Sequence, residues 1–458
     1  MENQSFRRTA LHRLYEAPAY DTSTWPDSHW RKGAEAPRCA PLVGEARTDF
    51  AIVGAGVTGL NAALELVEAS GAEVAVLDAA QPGWAASGRN GGFVSLGGSK
   101  LSDAALVRRF GREGAEAFRA FQKDAIARVA RNLDSYSIDA DRGPEGEVYL
   151  AHREREWRAM RENAEGLRAM HGPGARLIPR EELKQAGFGP AGFAGGFYTP
   201  LGFPVHPLKY TAGLARAALD RGIRIFGDSP VIALEPEADG CRLSTPKGSL
   251  RARRVLIATN GYTSDDLPPW IGGRTLPALS SIHVTRPLTE AERRAQGWTS
   301  QVMAADTRHL LHYFRLLPDN RFLFGMRGGL SASPGPLARI RAEGRRHLEA
   351  MFPEWAHVET ESFWSGLVCL TGSLTPFAGE VPGSPGLFAA FGWHGSGMAT
   401  GTLAGRMVAR AMTGASSPAP LVLRSPPKRF PLPNLRRAWL GAAYAWYKMA
   451  DGPVRAQR

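Results

Sequence analysis

The sequence predicts an α/β protein that combines a Rossmann-like nucleotide-binding domain with a discontinuous α+β domain on a mixed or antiparallel sheet. Residues 50–78 have the order strand, glycine turn, helix, strand, which is typical of a nucleotide-binding unit. Residues 280–288 and 310–330 alternate in the manner of antiparallel strands. Short apolar segments suited to buried parallel strands recur far apart in the chain, at 50–53, 74–77, 255–259 and 387–391.

The composition is that of an ordinary globular protein. The chain has 458 residues, of which 43% are hydrophobic and 22% are charged, so disorder, a collagen-like fibre and a disulfide mini-protein are excluded. Three scattered cysteines favour a reducing, cytoplasmic location over a disulfide framework. The first twenty residues lack the apolar core of a secretory signal. The apolar stretch 438–447 is about half the ~20 residues of a membrane span, so none is expected.

The net charge of +12 is concentrated near the C-terminal end. Residues 424–458 contain eight Lys or Arg and a single Asp, which accounts for +7 of the total. This segment lies outside every motif described below, so no nucleic-acid partner is expected. A non-catalytic binding protein that uses this basic tail remains an alternative.

The glycine turn after the first strand has the spacing G-x-G-x-x-G at Gly54, Gly56 and Gly59. Gly54 makes the tight turn, Gly56 lets the backbone approach a pyrophosphate, and Gly59 lets the helix pack on the strand. Asp78 follows Gly59 by 19 residues, at the end of the second strand, where it can accept hydrogen bonds from a ribose. The pattern predicts a dinucleotide site but does not separate NAD from FAD.

Two further turns are rich in small residues. The segment GWAASGRNGG at 83–92 lets the backbone lie against a flat ligand, and Ser87 and Asn90 offer side-chain hydrogen bonds. The sequence GWHGSG at 392–397 joins the last apolar strand to a helix that begins near Met398. Free amides at that helix N-terminus would stabilise nearby negative charge by ~0.3–1 kcal/mol.

Several segments resemble the FAD-dependent D-amino-acid oxidase superfamily, and more closely its gamma-glutamylputrescine oxidase-like branch of amine oxidases, related to glycine and sarcosine oxidases. Besides the first glycine turn, they are 83–92, VHPLKYTAGLARAALDRG (205–222), VLIATNGY (255–262), YFRLLPDNRFLFGMRGG (313–329) and GLFAAFGWHGSGMATGTLAGRMVARAM (386–412). The resemblance implies non-covalently bound FAD and no metal. The cofactor-binding residues it implies are Gly54, Gly56, Val57, Thr58, Gly59, Asp78, Ala79, Ala86, Ser87, Arg89, Asn90, Gly91, Gly92, Val231, Gly261, Gly395, Ser396, Gly397 and Met398.

The resemblance also implies a domain division in which two functional domains alternate along the chain. We expect an N-terminal extension (1–47), an FAD-binding domain (48–102, 205–270 and 361–413), a substrate domain (103–204 and 271–360) and a linker with a C-terminal helix (414–458).

The chain departs from the family pattern at two places. The closing turn has the order His394-Gly395-Ser396-Gly397, with histidine and serine exchanged relative to the family. The stretch 374–382 lacks the aspartate that many relatives carry after threonine-proline. The exchange leaves the role of His394 open between catalysis and structural hydrogen bonding.

Amine oxidation requires a neutral substrate nitrogen, whose lone pair assists removal of a hydride from the adjacent carbon. An amine with a pKa of ~10.4 is only about 1/2500 neutral at pH 7. Aromatic walls lower that pKa by desolvation, and Trp393, Tyr313 and Phe314 are candidates for such walls. Alternatively His394 or His206 takes the proton as a general base.

Three more residues have candidate roles in the predicted site. Arg315 and Arg327 lie in predicted substrate-domain strands, where a guanidinium can bind a substrate carboxylate. Cys369 lies six residues before the pair Thr375-Pro376. Sarcosine-oxidase-like relatives attach flavin through a cysteine at a spacing that differs from this by about one residue. A small buried thiol is the simpler expectation for Cys369.

The resemblance implies an FAD-dependent oxidase that converts an amine or amino acid to an imine, with oxygen reoxidising the flavin and peroxide released. A flavin dehydrogenase that passes electrons to another acceptor is the alternative, since the closing helix shows no oxygen-activating lysine. The expected partners are a small amine or amino-acid substrate and oxygen. The particular amine and the oligomeric state are not determined by the sequence.

Overall fold

A computed structural model of the chain describes residues 11–189, 192–416 and 419–454. Its strands are β1 Gly44–Val53, β2 Val74–Leu77, β3 Phe93–Val94, β4 Glu147–Ala151, β5 Arg176–Pro179, β6 Gly195–Thr199, β7 Phe203–Pro204, β8 Arg224–Phe226, β9 Ala233–Glu237, β10 Gly240–Ser244, β11 Gly248–Ile257, β12 Thr275–Thr285, β13 Met303–Asp306, β14 His312–Leu316, β15 Phe322–Arg327, β16 Thr360–Thr371, β17 Phe377–Glu380 and β18 Leu387–Phe391. Its helices are α1 Val57–Ser70, α2 Ala86–Arg89, α3 Asp103–Ser135, α4 Glu154–Glu162, α5 Ala164–His171, α6 Arg180–Leu183, α7 Pro207–Asp220, α8 Glu290–Gln296, α9 Pro334–Met351, α10 Gly397–Met412, α11 Leu421–Arg424 and α12 Arg436–Asp451.

The first sheet has the strand order β17-β18-β11-β1-β2-β8. Its central pairs are parallel, with β1 between β2 and β11, as expected of a Rossmann-like domain. The four predicted parallel strands correspond to β1, β2, β11 and β18, so the predicted fold class is confirmed. Helices α1, α3, α7 and α10 contribute to one core with the apolar side chains of this sheet.

The second sheet has the strand order β16-β12-β15-β14-β13-β4-β6-β5. It is mixed, because β13 and β4 are parallel while the other neighbouring pairs are antiparallel. Aromatic side chains from β14, β15 and the end of α9 form a separate core against one face. Phe314 is fully buried in that core.

The structure differs from the predicted domain ranges at two places. Strand β16 falls in the range assigned to the FAD-binding domain, yet it pairs with β12 in the second sheet from Thr275↔Thr371 to Thr285↔Thr360. Helix α3 falls in the range assigned to the substrate domain, yet its apolar face belongs to the core of the first sheet. In both cases tertiary packing, which local periodicity does not report, decides the partner.

The C-terminal helix α12 packs on the body through one face only. Leu440 and Tyr444 are buried against β12, and Arg436 pairs with Asp265. Trp439 and Trp446 remain 48% and 64% exposed on the other face. Within the described residues, no helix is long and apolar enough to cross a membrane.

Candidate active site

A cavity of about 510 Å³ lies between the two sheets. On one side it is lined by the loops that follow β1, β2 and β11 and by the turn between β18 and α10. On the other side it is lined by side chains of the second sheet. Ligands of open α/β sheets bind at the carboxyl ends of the strands, so the position of the cavity agrees with the predicted nucleotide site.

The turn between β1 and α1 has the close packing that its glycines predict. Gly54 has a φ of 113°, in the left-handed region. A Cβ on Gly59 would lie 1.9 Å from the Gly54 carbonyl oxygen, so only glycine permits this contact. The Val57 amide donates to Ser87 Oγ over 3.0 Å and thereby ties the first turn to the second. Gly54, Gly56, Val57 and Thr58 line the cavity, whereas Gly59 supports the turn from behind.

Asp78 lies at the end of β2, where it lines the cavity with Ala79. Its Oδ2 accepts from the Ala55 amide over 2.6 Å and its Oδ1 accepts from the Ala80 amide over 2.9 Å. Burial raises the pKa of this carboxyl, and the two amide donors act in the opposite direction. Asp78 therefore holds the glycine turn, and its contact with a ribose stays a prediction. Val231 also lines the cavity.

The second glycine-rich segment is held by its own polar side chains. Asn90 Nδ2 donates to the carbonyl oxygens of Ala86 and Ser87, each over 3.0 Å. Arg89 Nε donates to the Trp84 carbonyl oxygen over 2.9 Å, and the guanidinium lies 4.4 Å from the centre of the Trp84 ring. Ala86, Ser87, Arg89, Asn90 and Gly91 all line the cavity.

The closing turn between β18 and α10 places His394 at the cavity with φ 50°. Its Nδ1 lies 3.0 Å from the Gly98 carbonyl oxygen, and its Nε2 lies 3.2 Å from the Thr371 amide. A carbonyl only accepts and an amide only donates, so these partners define the neutral tautomer protonated at Nδ1. Burial is the main cause that lowers the pKa of His394 to about 3. Both ring nitrogens are therefore engaged. Trp393, Gly395, Ser396, Gly397 and Met398 also line the cavity.

His206 lies outside the cavity, contrary to its proposed role as a general base. Its Nδ1 accepts from the Lys209 amide over 3.2 Å and caps α7. Its ring lies 4.8 Å from that of Trp30, centre to centre. The proline after His206 begins the helix, so the histidine serves as the helix cap.

Arg315 also lies outside the cavity, contrary to its proposed role in binding a carboxylate. Its Nε and Nη2 donate to the carbonyl oxygens of Gly91 and Val205 over 3.2 and 2.8 Å. Burial lowers the pKa of Arg315 to about 9.

Three other predicted residues, Gly92, Gly261 and Phe314, are also absent from the cavity lining. Phe314 is buried in the core of the second sheet.

The second sheet presents one row of side chains to the cavity. In register across the sheet, these are Tyr149, Ala305, Tyr313, Ile282 and Trp364. Gly325 completes the row, and a Cβ there would lie 2.1 Å from the Tyr313 ring. The Tyr313 hydroxyl lies 3.0 Å from Ser280 Oγ. Arg327, at the end of β15, lines the cavity next to the His394 carbonyl oxygen.

Three charged residues that were not predicted from the sequence, Glu147, Lys100 and Arg13, also line the cavity. Burial raises the pKa of Glu147 to about 7. Lys100 keeps an exposed surface, yet desolvation within the cavity wall lowers its pKa to about 7, with Arg327 adding to the effect. A signal for Glu147 existed, because its strand EVYLA is otherwise apolar. The N-terminal residues Arg13 and Tyr20 also line the cavity and had no recognisable motif.

Cys369 lines the cavity from β16 and is 1% exposed. Burial raises the pKa of its thiol to about 12. The group is therefore a thiol at neutral pH and lacks the thiolate that a nucleophilic cysteine needs.

The cavity lining fits the FAD that the family resemblance implies. A Cβ on Gly56 would meet Ser87 Oγ at 2.6 Å, and a Cβ on Gly91 would meet the Tyr313 ring at 2.9 Å. Both glycines therefore let the turns pack closely on Ser87 and Tyr313, and both line the cavity, where a backbone without side chains can lie against a flat ligand. The residues that would hold FAD are those of the three turns, and the second sheet supplies the opposite wall. Among the described residues no cluster suits a metal ion.

Comparison with known proteins agrees with this arrangement. The family model "DAO: FAD dependent oxidoreductase" matches residues 49–411. The chain is 34% identical to "Probable oxidoreductase OrdL" of Haemophilus influenzae, over 82% of this chain and 85% of that protein. It is 28% identical to "Gamma-glutamylputrescine oxidoreductase" of Escherichia coli, over 88% and 92% respectively. The crystal structure of glycine oxidase from Geobacillus kaustophilus shares the fold, with a TM-score of 0.66, 22% identity and coverage of 81% and 96%. The chain therefore belongs to the DAO family of FAD-dependent oxidoreductases.

Proposed function

We propose that this FAD-dependent oxidoreductase acts on the carbon–nitrogen bond of an amine or amino acid. The observation that carries the proposal is a single cavity in which the three glycine-rich turns face an aromatic wall from the second sheet. The names of the gamma-glutamylputrescine and glycine oxidising relatives support the same substrate class. Bound FAD supplies a two-electron acceptor for a hydride from the carbon next to nitrogen.

The aromatic wall favours the neutral amine. Tyr149, Tyr313, Trp364 and Trp393 surround the cavity with apolar ring surface. Removing an ammonium group from water disfavours its charged form and lowers its pKa, which makes the nitrogen lone pair available. Arg327 and Lys100 also line the cavity. A positive charge close to the substrate nitrogen further disfavours the ammonium form and lowers the pKa of the amine. Product imine is then hydrolysed by water.

His394 supports this chemistry as a positioning residue. Its two ring nitrogens connect the closing turn to the Gly98 carbonyl oxygen and to the Thr371 amide of β16. This leaves no free ring lone pair to take a proton from the substrate. His394 instead holds the closing turn in place. The free amides at the N-terminus of α10, which follows this turn, would stabilise negative charge on the bound cofactor.

Arg327 is the candidate for a substrate carboxylate. Of the two arginines proposed from the sequence, it alone lines the cavity. Its guanidinium contacts the His394 carbonyl oxygen only at 3.5 Å, so its other donors remain available for a carboxylate.

The electron acceptor is proposed to be oxygen, with release of hydrogen peroxide and a cytoplasmic location. The test is a panel of amines and amino acids incubated with the purified holoenzyme. We expect loss of flavin absorbance without oxygen and peroxide formation with oxygen. Flavin reduction without peroxide would identify a dehydrogenase, and no reduction by any amine would overturn the proposed function. A colourless protein that does not take up FAD would favour the non-catalytic alternative.

A further inference from the structure

Glu147 is a buried carboxyl with no cation beside it among the residues that the structure describes. It begins β4, is 5% exposed and lines the cavity. Its Oε2 accepts a hydrogen bond from the Tyr149 hydroxyl over 2.9 Å. Within the described part of the chain, no ion pair to Glu147 is found, and its raised pKa has burial as the main cause. An ionised carboxylate in such a place is costly unless a positive charge joins it.

The two arginines of the neighbouring strands, Arg315 and Arg327, do not pair with Glu147. Arg315 shares its sheet face two strands away but directs its guanidinium to backbone carbonyl oxygens. Arg327 lies three strands away in the sheet order, towards the opposite ends of the strands. Strand spacings of ~4.8 Å and residue rises of ~3.4 Å put the Cα atoms of Glu147 and Arg327 up to roughly 20 Å apart. Arg327 therefore lies too far away in the sheet to pair directly with Glu147.

We propose that Glu147, oriented by Tyr149, binds a second cationic nitrogen of the substrate, remote from the carbon–nitrogen bond that is oxidised. The substrate is then an elongated molecule that carries an ammonium group beyond the reacting amine, as a diamine does. This inference rests on the proposed amine oxidation. The Tyr149 hydroxyl satisfies one carboxylate oxygen, and the second nitrogen would pair with the side of the carboxylate that faces the cavity.

The test compares matched probes that differ only in the second nitrogen. Binding of 1,4-diaminobutane and 1-aminobutane, and of the corresponding six-carbon pair, is measured by calorimetry on the holoenzyme and on Glu147→Gln. We expect the ratio of diamine to monoamine affinity to fall at least about tenfold in the variant, the usual effect of losing a charged hydrogen bond. Glu145→Gln, two residues away and exposed, is the matched control and should keep the wild-type ratio.

Proton release gives an independent readout. Burial raises the pKa of the Glu147 carboxyl, whereas an ammonium group beside it lowers that pKa, so binding of the second nitrogen favours loss of a proton from the carboxyl. Wild-type protein should therefore release more protons near pH 7 with the diamine than with the monoamine. This difference should disappear in Glu147→Gln and persist in Glu145→Gln. The same calorimetry in buffers of different ionisation enthalpy measures it.

Other outcomes overturn the inference. An unchanged affinity ratio in Glu147→Gln means that Glu147 is a neutral acid paired with Tyr149. Equal losses for both probes mean that it acts on the reacting amine or on folding. If Glu147→Gln does not fold, Glu147→Asp is used instead, because it keeps the carboxylate on a shorter side chain. It should raise the affinity for the six-carbon diamine relative to that for 1,4-diaminobutane. If monoamines reduce the flavin while diamines gain no advantage, only this inference fails, whereas a flavin that no amine or amino acid of the panel reduces refutes the proposed function.

Discussion

The two sides of the cavity, which we propose hold the nucleotide and the substrate, are built in different ways. The nucleotide side consists of three short turns in which backbone amides and glycines make the surface. Ser87 Oγ and the carboxylate of Asp78 hold these turns by accepting from backbone amides. The substrate side consists of single side chains from six strands of the second sheet, brought into one surface by strand pairing.

The difference also appears in the charges. Among the predicted cofactor residues, Asp78 and Arg89 are both engaged by the backbone of the turns themselves. On the facing wall, Glu147 and Arg327 line the cavity with few protein partners, on strands that lie three apart in the sheet order. A surface made by the backbone suits a fixed cofactor, whereas partly unpaired side chains suit recognition of a substrate. The following experiments test this distinction.

The largest effect is expected from Gly59→Ala. The added Cβ would lie 1.9 Å from the Gly54 carbonyl oxygen, so the glycine turn must move. We expect the purified variant to contain less than about a tenth of the wild-type FAD, measured by the ratio of flavin to protein absorbance. Gly335→Ala, where a Cβ meets nothing within 4 Å, is the control. Normal FAD content in Gly59→Ala would show that the backbone turn does not form the cofactor surface.

Arg327→Leu should affect the substrate and leave the FAD content near normal. Loss of a charged contact to a carboxylate is expected to raise KM about 100-fold for a substrate that carries one. The matched probes are N-methylglycine and dimethylamine, which differ only in the carboxylate group. Arg339→Leu, an exposed position on α9, is the control. Equal losses for the two probes would assign Arg327 to another role.

His394→Asn tests the connection between the two sides through stability. The folded-state pKa of about 3 lies below the ordinary 6.5, so on acidification the unfolded chain takes up a proton first. Stability is therefore lost as pH falls below 6.5, by up to about 1.4 kcal/mol per pH unit from this group. Asparagine tolerates the left-handed φ of 50° and removes this contribution.

Urea unfolding of wild type and His394→Asn at pH 8, 6.5 and 5, with FAD in equal excess, measures the difference. The variant should be less stable at pH 8, because it loses two hydrogen bonds, and should show a shallower decline below pH 6.5. The shape of the activity profile above pH 7 should not change. Loss of a pKa from that profile would instead identify His394 as the base.

The smallest effect is expected at Cys369. A thiol with a pKa of about 12 does not form a thioether readily, so acid precipitation should release all flavin to the supernatant. Cys369→Ser should retain FAD within about twofold of wild type. Flavin that remains with the precipitated wild-type protein, and not with the variant, would demonstrate a covalent bond.

Local sequence was most informative where the backbone itself forms the site. The spacing of Gly54, Gly56 and Gly59 predicted both the strand–turn–helix and its position at the cavity. Roles for His206 and Arg315 were predicted from their neighbours in sequence. In the structure His206 caps α7, and Arg315 donates to backbone carbonyl oxygens. The apolar neighbours of Glu147 indicate that it is buried, but they do not indicate which face of β4 meets the cavity, so its role was missed.

The amino-acid sequence alone determined the nucleotide-binding unit, the discontinuous arrangement of its strands and the family of the chain. The nucleotide-binding unit depends on contacts between residues close in sequence and on the steric demand for glycine, and each distant strand is recognisable as a short apolar run. Tertiary structure decided that β16 belongs to the second sheet, that α3 packs on the first, and that Glu147 and Arg327 line the same cavity. Such placements depend on register between strands distant in the chain, where a shift of one residue reverses the face that each side chain occupies.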